Sequence, residues 1–187
     1  MRVMTTLPEL AEPRLATRRL VLRPLAEGDL DDIVFGVGNF NVARYLARVP
    51  HPYGRRDAEG FLAFVRHGTA EGRELTLVID RGGKAVGCMG LTAIGEADEF
   101  GYWLSETVWG NGYATEAGRA FLAHVFAALD LDAVRSGVFT DNPASLRVQE
   151  KLGFVSTGTS LRYSLARGHE VAHIDTILTR RRFEEGR

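Results

Sequence analysis

Residues 97–118 read ADEFGYWLSETVWGNGYATEAG, and this stretch decides how the rest of the chain is interpreted. An aromatic run of strand composition leads into a turn that contains Gly110 and Gly112, and a long helix with apolar periodicity follows directly. Because glycine has no Cβ, the backbone N–H groups of such a turn can approach an anion closely, and the positive end of the helix dipole adds to the attraction. The segment therefore predicts a binding site for a phosphorylated small molecule.

The composition indicates one globular domain in a reducing compartment. The chain has 187 residues, a formal net charge of −1 and a single cysteine, so an internal disulfide framework is excluded. No apolar run approaches the ~20 residues that span a bilayer, and the first residues lack the apolar core of a signal peptide, so we expect a cytoplasmic protein without a membrane partner. The one basic run, at 180–182, is interpreted as part of a solvated tail, and nucleic acid is not expected as a partner.

The periodicity of the apolar residues predicts a single α/β (α+β) domain at 15–179, between a flexible lead-in at 1–14 and a basic, charged tail at 180–187. The predicted order is one strand, two helical segments, three strands, a helix, a strand, a helix and two strands. This order indicates a mixed, mostly antiparallel twisted sheet of about seven strands with helices on both faces. The predicted strands are 19–23, 74–80, 84–94, 97–104, 133–140, 154–163 and 171–179, and the predicted helices are a broken segment at 29–46, then 56–70, 115–129 and 142–153.

Three interpretations of the glycine turn compete. In the first, its glycines only permit a sharp turn from strand to helix. In the second, Gly110 and Gly112 begin a dinucleotide-binding fingerprint, but Thr115 occupies the place of the third glycine and the strand–helix–strand unit lies in the middle of the chain. In the third, the turn binds the pyrophosphate of coenzyme A.

Several segments carry a family resemblance that favours coenzyme A. Residues 109–114, WGNGYA, resemble the Q/R-x-x-G-x-G/A acetyl-CoA motif of the GNAT N-acetyltransferases, with Trp109 at a position where that family usually has Gln or Arg. The pair GYWL (101–104) and WGNGYATEA (109–117) resembles the Rim-type branch, the ribosomal-protein N-terminal acetyltransferases and their relatives. Three further segments agree with that branch in the right order, namely TRRLVLRP (17–24), NPAS (142–145) and EKLGF (150–154).

The resemblance implies a GNAT-like fold and an acetyl-CoA-dependent N-acetyltransferase. Its acceptor would be a primary amine, either a protein N-terminus or a small molecule, attacking directly in a ternary complex. We leave open a homodimer, and we keep two alternatives, a catalytically silent CoA-binding module and a dinucleotide-binding protein. The residues that the resemblance assigns to the coenzyme are Trp103, Leu104, Trp109, Gly110, Asn111, Gly112, Tyr113, Ala114, Thr115 and Asn142.

Two residues are predicted to be catalytic. Glu99 is the candidate general base, because GNAT enzymes often carry a carboxylate on this strand, although a solvated carboxylate at a strand edge is the alternative. Ser145 occupies the serine position that Rim-type relatives assign to the leaving thiol, although it also suits the first turn of a helix capped by Asn142. Tyr163 is a second, weaker proton-donor candidate. The ribosomal-protein relatives can carry a second catalytic glutamate where this chain has Ser164, which puts a ribosomal-protein substrate in doubt.

The sequence HEVAH at 169–173 matches the H-E-x-x-H metal signature of zinc proteases. That chemistry requires a helix, because both histidines must lie on one face about one turn apart. The residues that follow have strand composition, and on a strand the two histidines would be ~13 Å apart, too far for one zinc ion. We therefore predict a strand here and no metal site.

Overall fold

The computed structural model describes residues 13–186, and its centre is one eight-stranded sheet. The predicted lead-in at 1–14 therefore lies outside the described residues except for its last two. The strands are β1 (Leu15–Ala16), β2 (Val21–Pro24), β3 (Glu74–Arg81), β4 (Lys84–Thr92), β5 (Glu99–Leu104), β6 (Ala133–Phe139), β7 (Val155–Ser164) and β8 (His169–Thr179).

The order of the strands across the sheet is β1-β2-β3-β4-β5-β6-β8-β7. Every neighbouring pair is antiparallel except β5 and β6, which are parallel because the long crossover helix returns the chain in the same direction. The prediction of a mixed, mostly antiparallel sheet is confirmed. The eighth strand of the described region is β1, whose two residues are too few to give a periodic pattern.

Helices cover both faces of the sheet, as predicted. One face packs against α4 (Tyr113–Ala128) in a core that includes Phe121 and Leu122. The other face packs against α1 (Leu30–Val37) and α3 (Arg55–Ala70) in a second core that includes Ile33 and Leu62. Among the described residues, no helix is long and apolar enough to cross a lipid bilayer. The helices are α1 (Leu30–Val37), α2 (Phe40–Ala43), α3 (Arg55–Ala70), α4 (Tyr113–Ala128), α5 (Pro143–Leu152) and α6 (Arg180–Glu185).

The termini of α4 and α5 follow from local chemistry. Helix α4 begins at Tyr113, two residues earlier than predicted, because the left-handed Gly112 (φ +75°) turns the chain immediately before it. Helix α5 has the predicted cap, in which the Asn142 side chain accepts a hydrogen bond from the Ser145 backbone N–H. It ends at Gly153, which has the left-handed conformation expected after a helix.

The expectation of a solvated basic tail is wrong for the described part of that segment. Residues 180–185 form α6, and Phe183 is buried against Phe126 of α4. The Arg180 guanidinium donates three hydrogen bonds, to the backbone carbonyls of Phe126, Leu129 and Leu131. These carbonyls lie at the end of α4 and just beyond it, where acceptors lack helical partners, and the cation also favours the negative end of the helix dipole.

Candidate active site

The two parallel strands β5 and β6 separate along their length. Their register contains one pair, Glu99 with Arg135, whereas the neighbouring β4–β5 and β6–β8 ladders contain six and seven pairs. Beyond Glu99, the facing edges of β5 and β6 therefore diverge. A gap opens between them toward the glycine turn and the beginning of α5.

A buried chain of hydrogen bonds crosses the closed end of this gap. The Ser136 hydroxyl of β6 donates to the backbone carbonyl of Phe100 on β5 (2.8 Å), and the Gln149 amide of α5 donates to the Ser136 hydroxyl (2.8 Å). The Thr176 hydroxyl of β8 donates to the Gln149 amide oxygen (2.7 Å), so each buried polar group has a partner. These hydrogen bonds fix α5 to the sheet at the point where β5 and β6 separate.

The glycine turn lies at the open end of the gap. Gly110 and Gly112 have φ values of +77° and +75°, and the Asn111 side chain holds the turn by donating to the carbonyls of Val108 and Trp109. The N–H groups of the first turn of α4 follow immediately, and they lack helical acceptors. The turn therefore has the geometry of an anion site.

The aromatic residues around this turn support it in two ways. The Trp109 indole N–H donates to the Leu104 carbonyl (2.8 Å), which fastens the turn to the end of β5. The Trp103 side chain points to the opposite face and packs against Gly36 of α1, where a Cβ would lie 2.6 Å from the indole ring. The side chain of Trp103 is thus part of the core on the α1–α3 face, and its backbone belongs to the strand beside the gap.

Two arginines that were not predicted as site residues approach the turn. Arg19 forms an ion pair with Glu116 (2.7 Å) and lies over the Tyr113 ring, while Arg81 approaches the same ring from β3. Burial tends to raise the pKa of Glu116, but hydrogen bonds from Thr17 and Arg19 outweigh it and lower that pKa. Thr17, Arg19 and Glu116 all fall within segments that carried the family resemblance, which was the available signal.

A single cavity of about 1020 Å³ connects the glycine turn with the α1–α3 face of the sheet. Two of the residues that line it are Tyr102 of β5 and Ser145 of α5, whose hydroxyl groups are 2.8 Å apart. Burial raises the pKa of Tyr102 to about 12, although the hydrogen bond with Ser145 opposes this. Both groups are therefore protonated over the physiological range and can act as a pair of proton donors. The predicted residue Ser145 lies in the cavity with a tyrosine partner that the sequence analysis missed.

Carboxylates line the far end of the same cavity. Glu99, the predicted base, has a side chain that is 39 % exposed and lies 3.6 Å from the Arg48 guanidinium. Glu74 of β3 is only 4 % exposed, and burial raises the pKa of its carboxyl despite the hydrogen bond from Thr76. Glu74 begins a strand, and its sequence context gave no reason to place it in a cavity.

Beside the cavity, a contact that we call the clasp (Arg44, Asp141 and Arg167) joins three distant segments. Their neighbours Tyr45, Phe139 and Asn142 line the cavity. The Arg167 guanidinium from the β7–β8 turn binds both carboxylate oxygens of Asp141 (2.9 and 3.1 Å) and donates to the Arg44 backbone carbonyl (2.6 Å). Arg44 also contacts Asp141 (3.3 Å). Burial tends to raise the pKa of Asp141, but the two guanidinium groups outweigh it and lower that pKa.

Two further features singled out in the sequence are the H-E-x-x-H segment and Tyr163. The H-E-x-x-H segment is on strand β8, as predicted, and residues 13–186 contain no group of three or more metal-ligating side chains that could hold an ion. His169 is exposed near the β7–β8 turn, whereas His173 lines the cavity. Tyr163 is 54 % exposed on β7 and does not line the cavity.

The comparisons with known proteins agree with this geometry. The family description "Acetyltransferase (GNAT) domain" matches residues 19–155. The N-acetyltransferase YoaA of Bacillus subtilis, itself uncharacterised, is 30 % identical over 167 residues, which cover 83 % of this chain and 90 % of that protein. The chain therefore belongs to the GNAT acetyltransferase family.

Two solved structures share the fold. Mycobacterium smegmatis RimJ in complex with CoA-disulfide has a TM-score of 0.78 and 21 % identity, covering 91 % of this chain and 87 % of that one. Spermidine N-acetyltransferase from Vibrio cholerae in complex with CoA and spermine has a TM-score of 0.75 and 22 % identity, covering 89 % and 98 %. Family membership makes the chain an acetyl-CoA-dependent N-acetyltransferase, so its cofactor is coenzyme A and not a dinucleotide.

Proposed function

We propose that the enzyme transfers the acetyl group directly from acetyl-CoA to a primary amine while both substrates occupy one cavity. The supporting observation is that the cavity is continuous from the glycine turn to the carboxylates on the α1–α3 face. A covalent route through a thiol is disfavoured, because the single cysteine, Cys88, is buried and burial raises the pKa of its thiol.

The donor is held by backbone groups in this proposal. The N–H groups of residues 110–114, at the N-terminus of α4, bind the pyrophosphate, and Arg19 and Arg81 add positive charge beside it. The pantetheine arm follows β5 in the gap, and a backbone N–H of β5 donates to the thioester oxygen as negative charge develops there. Loss of one such donor typically costs ~3 kcal/mol of transition-state stabilisation.

The acceptor enters on the α1–α3 face. Glu99 and Glu74 make this end of the cavity acidic, so it attracts an ammonium group, and Arg48 neutralises Glu99 until the acceptor replaces it. An α-amine has an ordinary pKa of about 7.7–8.0 and a lysine-type amine about 10.4, so the entering cation must lose a proton before it can attack. Glu99 accepts that proton, either directly or through water.

The leaving thiolate is protonated by the Tyr102–Ser145 pair. Ser145 lies in the first turn of α5, where the helix dipole also stabilises a developing negative charge. Solvent then restores the proton to the hydroxyl pair. The transfer thus forms the C–N bond, breaks the C–S bond and returns coenzyme A as the free thiol.

A small cationic amine is the acceptor class we favour. The pocket is acidic, and the clasp joins the segments beside it, which suits a compact substrate with more than one positive charge. A fold neighbour that acts on spermidine gives this class a precedent. A protein N-terminus is the second class, with RimJ as the corresponding neighbour.

The test is thiol release from acetyl-CoA across a panel of spermidine, small monoamines and short peptides with free N-termini. We expect release with the polyamine to exceed release with the peptides. Faster release with peptides would overturn the acceptor class, and silence across the panel would favour a CoA-binding module without catalysis. A parallel thermal-shift measurement should show stabilisation by acetyl-CoA, and stabilisation by NAD alone would overturn the assignment of the donor.

A further inference from the structure

His173 of β8 is a mostly buried imidazole that has no role in the proposed reaction so far. Its side chain is 12 % exposed and lines the cavity. The ring lies against Gly137 of β6, where a Cβ would clash with the imidazole and lie 2.8 Å from its Nε2 atom. It also makes an edge contact with the Phe139 ring. The glycine at position 137 thus provides the space that the imidazole occupies.

Asp175 determines which ring nitrogen carries the proton. The Nδ1 atom of His173 is 3.0 Å from the Asp175 carboxylate, and because a carboxylate only accepts, Nδ1 must donate. The Ser160 hydroxyl donates to the same carboxylate and Arg162 lies 3.9 Å from it, so the carboxylate is itself held in place. In the neutral imidazole the free lone pair is therefore on Nε2. Within residues 13–186, no protein group hydrogen-bonds that atom.

The position of Nε2 relative to the gap between β5 and β6 follows from the register. Glu99 of β5 pairs with Arg135 of β6, and Gly101 and Gly137 each come two residues later on their own strand. Because successive residues of a strand point to opposite faces of the sheet, all four positions lie on the same face. This is the α1–α3 face, from which we expect the acceptor to enter. The space above Gly101 is open, and the imidazole ring covers Gly137 on the other side of the gap. Nε2 thus lies beside open space at the level where the two strands separate.

An ammonium acceptor must lose two protons to become an amide, one before it attacks and one as the C–N bond forms. We propose that His173 is a further catalytic residue, whose Nε2 takes the second proton from the amine nitrogen. The imidazolium and the protonated Glu99 then release their protons to solvent, while the thiolate receives one from the Tyr102–Ser145 pair, which solvent reprotonates. No net proton is gained or lost by the enzyme, and Asp175 is a positioning residue that stabilises the imidazolium. This inference rests on the proposed function.

The experiment compares His173→Ala with His169→Ala, which removes the exposed histidine four residues earlier on the same strand. With acetyl-CoA and the best amine of the panel, we expect kcat to fall about 100-fold or more in His173→Ala and to stay within about twofold in His169→Ala. Added imidazole should restore part of the activity of His173→Ala, because the space over Gly137 is then vacant. Asp175→Asn should lower kcat on the order of tenfold, with the KM for acetyl-CoA unchanged.

A second measurement does not depend on turnover. ¹⁵N NMR of the labelled wild-type enzyme should show His173 protonated on Nδ1, and a proton on Nε2 in the neutral ring would overturn the inference. Unchanged kcat in His173→Ala, or a folded variant that imidazole does not rescue, would also overturn it. A wild-type enzyme that acetylates no amine would overturn the proposed function and this inference together. An active enzyme whose His173→Ala variant keeps its kcat would overturn this inference alone.

Discussion

The two ends of the cavity are built in different ways. At the end where we propose that the donor binds, the residues are consecutive from β5 through the glycine turn into α4, and most of the proposed binding groups are backbone N–H groups. At the acceptor end, side chains from β3, β5, β8 and the loops that form the clasp converge, and Arg44 and Asp141 are 97 positions apart in the chain. A site made of local backbone leaves a readable pattern in the sequence, and a site made of distant side chains does not.

The largest expected effect tests whether the donor end depends on its backbone. Gly112→Val should weaken acetyl-CoA binding at least ~100-fold by calorimetry, because a β-branched residue resists the left-handed conformation that starts α4 and obstructs close approach to the N–H groups. Gly95→Val is the matched control, since Gly95 is also left-handed (φ +84°), has free space around its Cβ position and lies at the other end of β5. Both variants should lose ~1–3 kcal/mol of stability. Equal affinities would mean that the turn does not bind the coenzyme.

The next largest effect concerns the hydroxyl groups of Tyr102 and Ser145. Ser145→Ala and Tyr102→Phe should each lower kcat by about tenfold to 100-fold, and the double variant should lose less than the product, because the two groups act as one unit. Tyr163→Phe, which alters the exposed tyrosine of β7, should leave kcat unchanged. Because the pKa of Tyr102 is about 12, activity should not report its ionisation below pH 10. A tenfold loss in Tyr163→Phe would reassign the proton donor.

A smaller effect separates the acceptor end from the donor end. Asp141→Asn removes the charge that both arginines of the clasp contact, so the β7–β8 turn is held less firmly. We expect the KM for the acceptor amine to rise several-fold in steady-state kinetics, with the KM for acetyl-CoA unchanged. Asp130→Asn, at an exposed position after α4, is the control. A change in the KM for acetyl-CoA would indicate that the clasp supports the donor end as well.

The smallest expected effect is on the stability of the fold and comes from the buried carboxylate of Glu74, at the acceptor end of the cavity. Burial raises the folded-state pKa of Glu74, so the stability it contributes is present below the unfolded value of about 4.3 and is lost as pH rises through the folded pKa. Glu74→Gln should therefore raise Tm at pH 7 by a few degrees, about 2–4 °C per kcal/mol for a chain of this size. The gain should vanish near pH 4, and exposed Glu184→Gln should show neither change. A lower Tm at pH 7 would contradict this account.

The sequence was sufficient for features that depend on neighbours along the chain. The cap at Asn142, the end of α5 at Gly153 and the strand character of the H-E-x-x-H segment were all predicted, because each depends on a few consecutive residues. The pairing of Tyr102 with Ser145 was not, because it depends on where α5 lies above the parted strands. Likewise, the insertion of β8 between β6 and β7 places His173 beside Gly137, and no local pattern encodes that order.

The separation of β5 and β6 has a thermodynamic consequence. Beyond Glu99, the parallel register pairs no further backbone groups of β5 with those of β6, so the ladder is incomplete at the centre of the sheet. A bound molecule that pairs with these groups would contribute its binding free energy to the stability of the folded chain. At a ligand concentration 100 times Kd this contribution is about 2.7 kcal/mol. The survival of the folded enzyme against unfolding and proteolysis should therefore follow the supply of its own acetyl donor.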